Sequence, residues 1–171
     1  MAFATSNISG ADFEQLFHPP SVGDRNYGEQ PAFDLGQVAE GSDGSVWIYC
    51  QFGSGGLTGS GYVCKITEAF EAVMLSTGND TFGDKVGVPQ CGVAVEDDSA
   101  WLQVYGVAAA IRVSASAAEN VALGTTATAG ELDDAGGLVV SGVIITTTNG
   151  GAAAVQPGLL NWPTITATAG P

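Results

Sequence analysis

The sequence predicts a mainly β fold: an antiparallel β-barrel or sandwich with an extended N-terminal arm and little helix. Three observations carry this. Glycine, at 25 of 171 residues, recurs with Val, Thr and Ala, while the good helix formers Lys, Arg and Gln are scarce. From about residue 34 onward, short apolar stretches are separated by Gly, Asn and Asp turns. Residues 1–33 differ, with scattered aromatics, three prolines and no sustained period. The chain therefore divides into an arm, 1–33, and a β-rich domain, 34–171. Its 45% apolar and 13% charged composition excludes a disordered chain or a coiled coil.

Within the arm, "GADFEQLFHPP" predicts one helical turn, capped near Asp12, stopped by Pro19 and Pro20, with Phe13, Leu16 and Phe17 on one side. Together with His18, Tyr27 and Phe33 these are the candidate contact residues of the arm. They dock either on the parent domain or on a neighbouring subunit or larger assembly.

In the domain, "VWIYCQF" and "GYVCKIT" flank "GSGGLTGSG", which predicts a hairpin with a flexible glycine-rich tip. "EAFEAVMLS" fits a strand or a short helix. "TGNDTFGDKVGVP" reads as turn and loop leading into a strand at "QCGVAV", and "EDDSA" as a tight acidic turn. "AWLQVYG" places Trp101, Gln103 and Tyr105 on one face and Leu102 and Val104 on the other, the pattern of a strand between two layers. "VAAAIRVSAS" sets Ala109, Ile111 and Val113 against Ala110, Arg112 and Ser114. "ENVALGT", "AGELDDAGG" and "LVVSGVIITTT" follow. Asn149–Gly150 then predicts a type I′ hairpin turn before "AAAVQP", and "GLLNWPTIT", with Trp162, closes the domain.

The same parity places the cysteines: Cys50 with Val46 and Ile48, Cys64 with Tyr62 and Ile66, Cys91 with Val93 and Val95, all as small core hydrophobes. Three is an odd number, which argues against a secreted disulfide framework. A Cys50–Cys64 bridge across the hairpin is the alternative to free thiols.

Four basic residues (Arg25, Lys65, Lys85, Arg112) against eighteen acidic ones give a formal charge of −14. That charge repels phosphate backbones and anionic lipid, so no nucleic-acid and no membrane partner is expected. No run of about 18 apolar residues suggests a membrane span, and the N-terminus lacks a basic region followed by an apolar one, so folding in a cytoplasm is expected.

Chemistry is sparse. The only histidine, His18, precedes two prolines, which suits no hydrolytic triad. Glu96, Asp97 and Asp98, and again Glu131, Asp133 and Asp134, crowd turns that read as solvated tips, without EF-hand spacing. "GSGGLTGSG" lacks the G-K-[ST] ending of a phosphate loop. No enzyme activity, metal or cofactor is expected. Trp47, Tyr49, Trp101, Tyr105 and Trp162 either line a carbohydrate platform or fill the core and subunit contacts.

The order "GVPQCGVAV", acidic turn, "WLQVYG", "AAAIRV", "ENVALGTTATAGEL", "AGG", "GVIITTT" and "LLNWP" resembles the capsid decoration, or cement, proteins of tailed bacteriophages. The likeness covers roughly residues 34–165 and rests on Trp101, Gln103 and Gly106 of a W-x-Q-x-x-G-like stretch and on Gly142 and Val143 of the late strand. It implies a structural protein of the virion, on the capsid exterior, assembled in the host cytoplasm. Its partner would be the major capsid protein of the expanded shell, bound by a homo-oligomer, with a trimer favoured. A carbohydrate-binding or host-attachment module, or a tail or baseplate subunit, are the alternative roles.

Overall fold

A computed structural model describes residues 11–20 and 30–167. Among the described residues every regular element is a strand: β1 (Leu16–Phe17), β2 (Val38–Glu40), β3 (Val46–Phe52), β4 (Cys64–Ile66), β5 (Glu71–Met74), β6 (Lys85–Pro89), β7 (Ser99–Val113), β8 (Leu123–Thr125), β9 (Leu132–Asp133), β10 (Val139–Ile145) and β11 (Ala154–Thr166). The fold is mainly β, and all eleven strands belong to one sheet.

The 15-residue β7 organises it. Its first half pairs with β3 and β6, and the pairings β3–β5, β5–β4 and β4–β6 close a ring. Its second half pairs with β11 and β9, and β11–β10, β10–β8 and β8–β9 close another. Two closed rings thus share one strand, and closure leaves only the short β1 and β2 with a free edge among the described strands. The pairings β3–β5 and β7–β9 are parallel, so the sheet is not purely antiparallel.

The handover falls at Gly106, which has φ +97° and where a Cβ would lie 3.0 Å from the Ser45 backbone. A side chain there would be strained and crowded, so glycine permits the kink. Before it, Ala100, Leu102 and Val104 enter a first core with Ile48, Phe52 and Ile66. After it, Ala108, Ile111 and Val113 enter a second core with Leu123, Leu132 and Val143. Fully burying each Leu, Ile or Val contributes roughly 1.5–3 kcal/mol. Ala108, rather than the expected Ala109, joins Ile111 and Val113. The register shifts between Gly158 and Gln156 opposite, and that irregularity breaks the two-residue alternation.

Other expectations are corrected. β3 and β4 are not a hairpin: β3 lies beside β2, β5 and β7, while β4 lies between β5 and β6. The glycine-rich connection is anchored rather than a free tip. Leu57 is buried and exchanges backbone hydrogen bonds with Ala94 (2.9 and 3.0 Å), and a Cβ on Gly56 would strike Ala94 O at 2.3 Å. The glycines serve close backbone approach. "EAFEAVMLS" resolves as strand β5, and the strand expected at "QCGVAV" lies earlier, at "KVGVP". Cys91 is therefore buried while Val93 and Val95 are exposed. Cys50 and Cys64 take their expected places in the first core, and all three thiols are free.

β10 and β11 do form an antiparallel hairpin, yet neither Asn149 nor Gly150 has a left-handed φ, so the turn is not type I′. Asn149 is instead buried, donating through Nδ2 to Ser114 O (2.7 Å) and Ala152 O (2.9 Å). Its polar side chain fastens the loop to the end of β7.

In the arm, Asp12 caps a turn through Glu14 N–H (3.0 Å), but no helix follows. Leu16 and Phe17 pair with Ala100 and Ser99 as β1, whose backbone groups find partners on β7 that an isolated helical turn would leave to water.

Candidate interaction surface

The polar groups that sequence reasoning singled out are mostly structural. His18 Nδ1 contacts Asp98 Oδ1, and Asp98 Oδ2 accepts from Val95 N–H (2.9 Å). Asp98 is buried, so the histidine fastens the arm to the 95–98 turn. Glu131 is also buried, accepting from Arg112 Nε and lying 2.9 Å from its Nη2, while the guanidinium sits 5.2 Å from the Tyr62 ring centre. These two acids are not solvated tips. Among the described residues no group of three or more His, Cys, Asp or Glu is placed to hold a metal ion.

The arm also closes over the outer face of β3 and β7. Phe13 stacks on Trp47 (4.7 Å, 5°) and meets Trp101 edge-on (5.6 Å, 86°). Phe33 contacts Tyr49 (5.5 Å) and Trp101 (5.0 Å) edge-on. Trp47 Nε1 donates to Ser45 Oγ (2.7 Å), which donates to Asp43 Oδ1 (2.6 Å). The Ser45 hydroxyl and amide hold the Asp43 carboxyl below its ordinary range. Of the five aromatics named from sequence, Trp47, Tyr49 and Trp101 are buried in this cluster, which leaves Tyr105 and Trp162 at the surface.

Past the ring contacts of Phe13 and Phe33, the outer face of β7 carries exposed apolar side chains among the described residues. Val107 is 68% exposed and stands opposite Leu159 of β11, itself 42% exposed and opposite the half-buried Ile144 of β10. Directly opposed residues on paired strands share a face, so these three form an apolar row across the second ring. Tyr105, Ala109 and Val155 flank it. An open groove of about 640 Å³ runs from Val107 and Ala109 back to Phe13, with Asp12, Glu14 and Asp43 on its lining. A contiguous apolar surface edged by acids on a rigid closed sheet is the geometry of a contact face.

Of the arm residues expected to make contacts, Phe13 and Phe33 pack in the aromatic cluster and Leu16 against the first core. Phe17 is half-buried in β1, His18 meets Asp98, and Tyr27 lies outside the described residues. Sequence reasoning missed Val107 and Leu159. The signal was present, since Val107 continues the Trp101, Gln103, Tyr105 parity, but nothing in the sequence says where the arm stops covering that face. No protein-family model, curated protein or solved structure matches the chain.

Proposed function

We propose that the protein is a structural virion component that binds the outer surface of an expanded phage capsid and cements neighbouring major capsid subunits against internal DNA pressure. The observation that carries this reading is the Val107–Leu159–Ile144 row, an apolar strip across β7, β11 and β10 with Val107 and Leu159 exposed. An apolar strip spread over three paired strands, beside a groove open to solvent, suits another protein's surface. The charge of −14 suits a partner with basic groups around its seams and disfavours the packaged DNA. Many copies, each contributing modest interface energy, gain strength together through effective concentration.

The test mixes purified protein with expanded and unexpanded capsids and measures occupancy. Saturable binding to the expanded form, lost in Leu159→Asp with its melting temperature unchanged, supports cementing. Binding to neither form overturns it.

A further inference from the structure

A second apolar feature lies where the two rings meet. β11 leaves β7 at Asn161 and joins β6 at Thr164, opposite Lys85. At this crossing Asn161, Trp162 and Pro163 stand against the single residue Gly142 of β10, a bulge that turns Trp162 outward. Trp162 is 52% exposed and holds φ +48°, a left-handed conformation costly for a bulky side chain. Beside it opens a slot of about 160 Å³ lined by Ile48, Val86, Val104, Trp162, Pro163 and Lys85. Apolar cavities of roughly 150 Å³ accept benzene, so the slot is sized for one phenyl ring. Its mostly apolar lining, where Thr164 and Lys85 are the polar side chains, would leave a hydroxyl-rich sugar short of hydrogen bonds.

The chain itself presents such a ring. Phe82, 70% exposed, is the barest large apolar residue among those described. It lies just before β6, in a loop tied to β11 by Gly83 N–H to Ile165 O (2.8 Å) and Ile165 N–H to Asp84 O (3.0 Å). Ring and slot therefore occupy the same end of the β6–β11 ladder, the neighbourhood a two-fold axis requires for each copy to give one ring and receive another. Charge agrees. Lys65 pairs with Asp84 (3.6 Å) and Arg112 with Glu131, whereas Lys85, on the slot, has no ion pair among the described residues. Phe82 lies between Asp80, which accepts from Thr125 Oγ1 (2.6 Å), and Asp84, paired with Lys65, so the segment that a second copy brings toward Lys85 is acidic although each carboxylate already has a partner in its own copy.

We infer that Phe82 of one copy inserts into the slot beside Trp162 of a second copy, and that the protein self-associates through this reciprocal contact. The inference is independent of the capsid reading, because its test contains no capsid.

Sedimentation velocity over a concentration series, with tryptophan fluorescence, decides it. The wild type should shift from monomer to dimer, with a blue shift from Trp162, since Trp47 and Trp101 are already buried. Phe82→Ala removes an exposed ring, and Trp162→Gly relieves a left-handed φ, so both variants should stay folded. Each should weaken self-association about 30-fold or more. An equal mixture of the two restores one ring and one slot, and should associate more strongly than either alone. A wild type monomeric up to about 1 mM overturns the inference. So does association unchanged by Phe82→Ala, or a monomer whose Trp162 emission responds instead to an added Phe-Asp dipeptide, which would assign the slot to a different chain.

Discussion

Replacing Phe13 with alanine removes the ring that stacks on Trp47 and meets Trp101 edge-on. Burying a whole Phe contributes up to about 3 kcal/mol, and Phe13 is half-buried, so the area term is roughly half of that. Each aromatic pair adds about 0.5–1.5 kcal/mol beyond area. The expected loss is about 3 kcal/mol, which for a chain of this length lowers Tm by about 6–12 °C. The arm can also detach locally, because β1 contributes only two residues to the sheet. Tryptophan emission should then shift to the red below the main transition, as water reaches Trp47 and Trp101. A thermal melt followed by circular dichroism and by fluorescence separates the two responses. Phe82→Ala is the control, expected within about 0.5 kcal/mol of wild type. A Phe13→Ala Tm within about 2 °C of wild type, with unchanged emission, would refute the idea that the arm is anchored by this ring. Deleting the whole arm would likewise bare Trp47 and Trp101, so such a deletion perturbs stability as well as any contact the arm makes.

Val104→Asp places an unpaired charge at the end of the first core and should abolish folding, at a cost above about 4 kcal/mol, with insoluble expression or absent near-UV dichroism as the readout. Ser116→Asp should melt within about 0.5 kcal/mol of wild type, since Ser116 is exposed and its φ of +64° is one that Asp tolerates. Burial pushes the Cys50 thiol up to about 12 and Cys91 to about 11, and raises Cys64 as well, so a thiol reagent at pH 8 should label none of the three until the protein unfolds. Asp43 is held below its ordinary value, chiefly by the Ser45 hydroxyl. Burial pushes Asp133 up, but hydrogen bonding, first with Asp134 and also with the backbone of Ala135, more than offsets it, so Asp133 also lies low. A lowered carboxyl stabilises the folded state fully above its unfolded pKa of about 3.9 and less as pH falls through the folded value. Tm should be flat above about pH 5 and fall below about pH 4, with a shallower fall in Asp43→Asn.

Strand parity made much of the core legible. It placed Cys50 and Cys64 in the core and set Leu102 and Val104 on the face opposite Trp101, because a period of two is a property of the backbone alone. It failed where a second segment sets the geometry. The β3–β4 hairpin was local reasoning, whereas β3 pairs with the preceding β2 and finds its other partners at residues 71–72 and 99–105. The Asn149–Gly150 signal was overridden by a buried amide that binds Ser114 O, a contact made across 35 residues. Asp98 and Glu131 looked solvated because their partners, His18 and Arg112, sit far away in sequence. The exposed row was hidden for the same reason: Trp101 and Val107 share a strand and a parity, and the docking of Phe13 and Phe33 distinguishes the covered ring from the exposed side chain.

That β7 belongs to both rings has a mechanical consequence. A pull on the Val107 end is borne by the same backbone that carries Leu102, so force crosses the molecule along covalent bonds, stiffened by ladders on either side. The two lobes lack a linker in which to bend there, and neither can shed its half of β7 while the other stays whole. Stretching should rupture the body as one unit, with a single peak in a force-extension trace.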